Sequence, residues 1–286
     1  MAIYRDYDQA ALDDQYNNRK RVPNFETILD RWAADSAAVR AAGTSRLDIE
    51  YGPSPRERLD IFPADGDGPV LVFIHGGYWR SLDKSDFSFL APAWVDAGVS
   101  LVVVNYDLCP KVSIERIVQQ MLAASVWLYR HAEQYGMDED RLYVSGHSAG
   151  GHLAAMMLAA LWPVIDRSLP RELYKGAIAV SGVYDLQPLV QVDWLNGDLR
   201  LDEESALRLS PAYLPPATRA PLALAVGGLE SSEFKRQNAL LAQRWKPVLA
   251  GNIAMPGTDH FTVIDGLADP ANALFAGAKR MMRLDR

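Results

Sequence analysis

The chain alternates short runs of consecutive apolar residues with longer segments in which apolar residues recur at helical spacing. Short apolar runs bounded by polar or glycine-rich turns are typical of strands buried on both faces of a parallel sheet. The runs predict parallel strands at residues 70–74, 99–105, 141–145, 176–180, 221–226 and 252–255. Because helical segments separate these strands, the pattern predicts an α/β fold with a doubly wound, mostly parallel sheet and helices on both faces.

The region before these runs has a different pattern. Residues 46–51 and 58–62 alternate apolar and polar positions, which predicts an antiparallel hairpin at the sheet edge. Residues 1–45 are predicted to be an N-terminal helical region, with a helix over 25–42. Residues 114–135 carry apolar side chains near 3.6-residue spacing, which predicts a helix covering the sheet.

The segment between the fourth and fifth parallel strands is longer than a plain crossover needs, and it is rich in proline and aromatic residues. We expect residues 186–219 to form a small cap insertion above the carboxyl ends of the strands. The alternative is a surface excursion that does not touch substrate. The whole chain, 1–286, is predicted to form one domain, since α/β folds of this size commonly share a single core.

Composition restricts the partners. The formal net charge is -7, and no basic run is present, so neither nucleic acid nor a membrane surface is an expected partner. The longest apolar stretch, 153–165, contains Pro163 and is too short to span a bilayer, so it is predicted to be a buried core helix. Residues 1–14 lack the apolar core of a signal peptide, which predicts a cytoplasmic location. The expected partner is a small-molecule substrate, and a homodimer is compatible with the sequence.

Cysteine and histidine usage argues against a metal or cofactor. The chain has one cysteine, Cys109, so internal disulfides and multi-thiolate sites are excluded. Cys109 precedes a proline, and its side chain is predicted to pack in the interior without a chemical role. His147 and His152 are five positions apart and no HExxH motif occurs. We therefore expect neither a metal nor a cofactor.

The chemistry centres on residues 146–150, Gly-His-Ser-Ala-Gly, between a strand-like run and a helix-forming stretch. Glycines two positions either side of Ser148 remove side chains that would collide in a sharp strand-to-helix turn. The serine hydroxyl is then expected to project into solvent. This pattern is the nucleophile elbow of a serine hydrolase.

An acyl-transfer enzyme also needs donors for the oxyanion of its tetrahedral intermediate. The strand at 70–74 is followed by His75-Gly76-Gly77-Tyr78-Trp79, in which glycines leave backbone N–H groups accessible. We assign the oxyanion hole to the backbone N–H groups of Gly77, Tyr78 and Ala149. The alternative is that the Gly-Gly pair only makes a turn.

A serine nucleophile requires a histidine base and an orienting carboxylate. Among the five histidines, only His260 occupies a loop after the last predicted strand, so it is assigned as the base. Glu230 follows the strand before it and is the favoured acid. The competing carboxylates are Asp185, the main alternative, Glu233 and Asp259.

Candidate pocket residues are less specific. Four aromatic residues are candidate pocket walls, although each could instead supply buried packing area: Trp79, Trp194, Tyr213 and Phe261. Arg80 and Arg200 are candidate partners for a substrate carboxylate by location alone. Solvated surface arginines are the alternative reading for both.

Several separated motifs together resemble one family. They are HGGYW at 75–79, NYDLCPK at 105–111, GHSAGGHLAAMML at 146–158, SGVYDL at 181–186, GLESSEFKRQ at 228–237 and a late Asp-His-Phe. Over roughly residues 50–285 the chain resembles the arylformamidase (kynurenine formamidase) family of the α/β-hydrolase fold, close to hormone-sensitive-lipase-type esterases.

This resemblance implies cleavage of N-formyl-L-kynurenine to kynurenine and formate in tryptophan degradation, without a metal. It implies Ser148 as nucleophile, His260 as base and His75 to Trp79 as the oxyanion motif. The family acid is usually Asp, whereas the matching position here is Glu230. The alternatives are a small-acyl carboxylesterase of the same fold and, more distantly, a noncatalytic ligand-binding scaffold.

Overall fold

The computed structural model describes residues 1–284. Their strands form one eight-stranded sheet in the order β1-β2-β4-β3-β5-β6-β7-β8. The strands are β1 Arg46–Glu50, β2 Arg58–Phe62, β3 Val70–Ile74, β4 Ser100–Val104, β5 Leu142–His147, β6 Ala177–Val180, β7 Leu222–Gly227 and β8 Leu249–Met255. The β1–β2 and β2–β4 pairs are antiparallel and the other pairs are parallel, which confirms the mostly parallel sheet with an antiparallel edge.

Helices precede the sheet and connect its strands. They are α1 Gln9–Tyr16, α2 Asn18–Arg21, α3 Phe25–Ala41, α4 Ala91–Asp96, α5 Ile114–His131, α6 Ala149–Ala159, α7 Trp162–Ile165, α8 Asp193–Leu199, α9 Glu203–Arg208, α10 Ser232–Arg244 and α11 Ala273–Met281. Short 3₁₀ turns lie at Lys84–Leu90, Ala132–Tyr135, Glu139–Arg141, Gln187–Gln191, Pro211–Tyr213 and Thr262–Leu267. The predicted N-terminal region thus contains α1 to α3, and the predicted cap segment contains α8 and α9.

The apolar runs are explained by burial on both faces of the sheet. All five residues of β3 are buried, and they alternate between two core clusters. Val72 and Ile74 belong to the cluster that includes residues of α5 and α6, whereas Leu71 and Phe73 belong to the one that includes residues of α3, α4 and α11. Fully burying such a side chain contributes about 1.5–3 kcal/mol, so a central strand gains most from an uninterrupted apolar sequence.

The predicted buried helix over 153–165 is only partly correct. The helix α6 ends at Ala159, Ala160 is extended, and a separate short turn, α7, begins at Trp162. Pro163 lies at the start of α7, where its missing N–H is tolerated, whereas inside a continuous helix it would remove a hydrogen bond. The α7 side chains Val164 and Ile165 are exposed. Within residues 1–284, no helix is long and apolar enough to cross a membrane.

Candidate active site

The turn between β5 and α6 holds Ser148 in a backbone conformation that is rare for a residue with a side chain, at φ 55° and ψ -118°. The glycines around it are required by close backbone approach. A Cβ atom at Gly150 would lie 1.9 Å from the carbonyl oxygen of Ile74, and one at Gly146 would lie 2.1 Å from that of Gly150. The strained serine is therefore held by direct packing of the turn on β3.

This packing predicts a large cost for Gly150→Ala. The added methyl group would collide with a backbone carbonyl of a central strand, so we expect a loss of at least about 3 kcal/mol in the free energy of unfolding. Chemical denaturation monitored by circular dichroism measures it. Gly197→Ala is the matched control, because a Cβ atom there meets no atom within 4 Å and lies inside α8. That control is expected to be neutral or stabilising by about 0.5–1 kcal/mol. Equal stability of the two variants would contradict the packing argument.

The three residues proposed from sequence for the triad lie together. Nε2 of His260 is 3.0 Å from Oγ of Ser148, and Nδ1 of His260 is 2.7 Å from Oε2 of Glu230. The expectation that Ser148 projects into solvent is wrong, because the residue is only 2% exposed. Its hydroxyl lies instead in a cavity covered by other parts of the chain.

Both oxygens of Glu230 have partners. Oε1 accepts hydrogen bonds from the Ser181 hydroxyl and from the backbone N–H of Gly227, at 2.7 Å for the latter, while Oε2 faces His260. The side chain of Glu230 is fully buried. These contacts fix the carboxylate in one orientation, in which an Nδ1–H on His260 donates to it and Nε2 is left free to accept a proton from serine.

The competing carboxylates have other partners. Asp185 accepts a hydrogen bond from Nη1 of Arg236 at 3.1 Å. Glu233 accepts from Nε of Arg236 at 2.8 Å and from the Tyr16 hydroxyl at 2.9 Å. Asp259 accepts from the backbone N–H groups of the two residues after His260, at 2.8 and 2.9 Å, and so shapes the histidine loop.

Two further histidines contact the backbone of segments around the site. Nε2–H of His147 donates to the backbone oxygen of His260 at 2.7 Å, and burial beside His260 holds the pKa of His147 well below its usual value. Nε2–H of His152 donates to the backbone oxygen of Leu209 at 2.7 Å, and burial lowers the pKa of His152 to about 4. Both rings are thus neutral near pH 7. They connect the elbow region to the histidine loop and to the cap segment.

The turn after β3 exposes backbone donors beside the serine. Gly77, Tyr78 and Trp79 all have positive φ, and a Cβ atom at Gly77 would lie 2.2 Å from the backbone oxygen of Ser81. Within residues 1–284, the backbone N–H groups of Gly77 and Tyr78 have no hydrogen-bond acceptor. Ala149 is the first residue of α6, where the helix itself provides no acceptor for the N–H group. Gly77 and Tyr78 line the same cavity as Ser148, and the N–H group of Ala149 lies at the positive end of the α6 dipole.

A cavity of about 250 Å³ lies above the serine. Trp194 and Phe261 line it, as expected from the sequence, together with Tyr78, Ser148 and His260.

Trp79 and Tyr213, also expected in the wall of the cavity, do not line it. Trp79 is fully buried with its ring edge-on to His152, at 5.1 Å between centroids. Tyr213 is 38% exposed, and the guanidinium of Arg244 lies over its ring. Neither aromatic ring therefore reaches the cavity, because each packs against another side chain instead.

The N-terminal region also contributes to this cavity, which the sequence did not indicate. Five of its residues line the cavity: Asn17, Asn18, Arg19, Leu29 and Trp32. The Tyr78 hydroxyl donates to the backbone oxygen of Tyr16 at 2.6 Å, and burial raises the pKa of Tyr78 well above its usual value, so it remains a neutral donor. The short polar break Asn17-Asn18 between helical stretches is the one local signal, and it does not indicate where the segment packs.

The cysteine thiol lacks the features of an activated nucleophile. Cys109 is buried, and burial raises the pKa of its thiol to about 11, so the thiol stays protonated near pH 7. Among residues 1–284, no group of three or more histidine, cysteine, aspartate or glutamate side chains could hold a metal ion.

Comparison with known proteins places the chain among hydrolases. Residues 59–222 match the model of the BD-FAE family. The chain is 36% identical to the kynurenine formamidase of Salmo salar, over 94% of this chain and 95% of the relative, and 34% identical to that of Danio rerio, over 94% of each. A solved structure from Silicibacter sp. TM1040, described as a candidate thioesterase, superposes with a TM-score of 0.83 at 32% identity, covering 93% of this chain and 97% of that one.

The sheet, the elbow and these relatives define an α/β-hydrolase-fold enzyme that hydrolyses amide or ester bonds. Within that class, the chain belongs to the kynurenine formamidase family.

Proposed function

We propose that this enzyme hydrolyses N-formyl-L-kynurenine to L-kynurenine and formate, a step of tryptophan degradation, through a Ser148-His260-Glu230 triad. The two fish kynurenine formamidases support the substrate. The observation that carries the mechanism is the continuous contact from Glu230 through His260 to Ser148, at 2.7 and 3.0 Å.

In the first half-reaction, Nε2 of His260 takes the proton of Ser148 while Oγ attacks the formyl carbon. The backbone N–H groups of Gly77, Tyr78 and Ala149 hold the oxyanion. Protonated His260 then gives its proton to the leaving nitrogen, the C–N bond breaks, and a formyl ester remains on the serine. An aryl amine with an ortho carbonyl leaves more easily than an alkyl amine, which suits an esterase-like site.

In the second half-reaction, His260 takes a proton from water, which attacks the formyl ester. The new oxyanion occupies the same donors, and its collapse returns the proton to Oγ and releases formate. Glu230 keeps its charge throughout and stabilises the imidazolium that forms twice per cycle.

The second candidate is a small-acyl carboxylesterase. The Silicibacter neighbour is described as a candidate thioesterase, and a serine hydrolase cleaves thioesters and esters by the same acyl transfer. Steady-state kcat/KM on N-formyl-L-kynurenine and on p-nitrophenyl acetate separates the two. We expect kcat/KM for the formamide to exceed that for the ester by at least about tenfold. That ratio corresponds to a difference of about 1.4 kcal/mol in transition-state binding. Efficient ester cleavage with negligible deformylation would reject the formamidase and leave the esterase.

A further inference from the structure

One wall of the active-site cavity is polar and belongs to the N-terminal segment. Asn17, Asn18 and Arg19 line the same cavity as Ser148 and His260. This wall is attached to the oxyanion turn through the hydrogen bond between Tyr78 and the backbone of Tyr16, two residues before Asn18. Tyr16 is in turn held by Glu233 and Gln237 of α10, at 2.9 and 3.1 Å. A side chain on this wall therefore has a defined position relative to the reacting serine.

The side-chain amide of Asn18 is buried and lacks a partner. The residue is 5% exposed, and its Nδ2 has no hydrogen-bond partner among residues 1–284. A buried amide that has lost water without gaining a partner is unfavourable, and such groups in native proteins have a specific explanation. Because Asn18 lines the cavity, a polar atom of a bound ligand is the explanation that its position supports.

Arg19, the next residue, carries a positive charge without a counterion. No carboxylate of residues 1–284 lies within 4.0 Å of its guanidinium, which instead lies 5.4 Å from the centroid of the Phe25 ring. The other arginines considered from the sequence are unsuitable. Arg80 lines the cavity but is paired with Asp198 at 2.5 Å, and Arg200 does not line it. Arg19 is exposed, and among residues 1–284 it is the arginine that lines this cavity without a paired carboxylate.

We propose that Asn18 and Arg19 bind the α-carboxylate of the substrate and make the enzyme selective for aryl formamides that carry an amino-acid side chain. A carboxylate accepts hydrogen bonds only, so it complements an amide N–H and a guanidinium together. The inference rests on the proposed function, because it assigns the part of N-formyl-L-kynurenine that does not react.

Binding of product analogues tests this assignment without requiring turnover. Isothermal titration calorimetry of the full-length protein would use L-kynurenine, 2-aminoacetophenone, which lacks the amino-acid side chain, and 4-(2-aminophenyl)-4-oxobutanoate, which keeps the carboxylate and lacks the ammonium. We expect both carboxylates to bind at least about tenfold more tightly than 2-aminoacetophenone, the factor of a charge-assisted hydrogen bond. Arg19→Gln and Asn18→Leu should reduce that ratio to below about threefold and leave 2-aminoacetophenone binding unchanged.

Arg200→Gln is the matched control and should keep the full ratio, and thermal unfolding would verify that each variant is folded. Equal affinities in the wild type, undetectable binding of L-kynurenine, or a ratio retained in both Arg19→Gln and Asn18→Leu would each overturn the assignment. So would a ratio lost in Arg80→Gln and kept in Arg19→Gln. Failure of the proposed function gives a different result, namely no deformylation of N-formyl-L-kynurenine with the binding ratio intact.

Discussion

Ser148→Ala is expected to lower kcat/KM for N-formyl-L-kynurenine by on the order of 10⁵-fold, because the proposed covalent intermediate forms on the Ser148 hydroxyl. His260 is within hydrogen-bond distance of Ser148 Oγ, at 3.0 Å, and the thiol of Cys109 is buried and protonated. Residual activity would come from the oxyanion donors acting on a water molecule. Both the formamide and p-nitrophenyl acetate should be affected, since they would share the serine.

The measurement is steady-state kinetics at substrate concentrations spanning KM, with electrospray mass spectrometry of the intact protein after reaction with a fluorophosphonate. The wild type should gain one covalent adduct and Ser148→Ala should gain none. Thermal unfolding of the variant serves as the control for folding, because Ser148 occupies a strained turn that alanine must also adopt. Formamide turnover within tenfold of the wild type would exclude the serine mechanism.

Glu230→Gln should lower kcat by about 10⁴-fold. The Gln amide can donate to Nδ1 of His260, and a histidine that accepts at Nδ1 carries its proton on Nε2, where it can no longer take the serine proton. Glu230→Asp keeps the charge but shortens the side chain by one methylene. We expect it to lose about 10²-fold, because the carboxylate then reaches either His260 or the donors of Ser181 and Gly227.

Asp185→Asn is the matched control for the acid, since Asp185 is the main alternative from the sequence and is also buried. Its contact is an ion pair with Arg236 rather than a contact with His260, so kcat should change by less than about tenfold. Steady-state kcat at several pH values between 6 and 9 would compare the three variants. A loss in Asp185→Asn as large as that in Glu230→Gln would transfer the orienting role to Asp185.

The central fold was predictable because burial on both faces leaves a direct trace in the sequence. Predicted and observed strands share most of their residues, and β2 and β3 have the same bounds in both. The elbow was predictable because local backbone contacts require glycine at positions 146 and 150, and those contacts depend on the turn itself. His260 was identified from its order in the chain, and the structure places it beside Ser148.

The pocket was predicted less well because its walls depend on how distant segments pack. Trp79 and Trp194 are the same residue type, yet one is fully buried against His152 and the other lines the cavity. Nothing near Asn18 in sequence indicates that it lines the same cavity as a serine 130 positions later. Such contacts follow from the tertiary path of the chain, which hydrophobic periodicity does not encode.

The hydrogen bond from Tyr78 to the backbone of Tyr16 places the N-terminal segment beside the site but outside the sheet that carries it. The groups proposed to carry out bond cleavage belong to the sheet and its loops, whereas Asn18 and Arg19 precede the first strand. On the proposed assignment, substitutions at Asn18 and Arg19 would change which substrates bind while the contacts among Glu230, His260 and Ser148 remain. On this assignment, the residues that select the substrate and the residues that cleave it are separate in sequence.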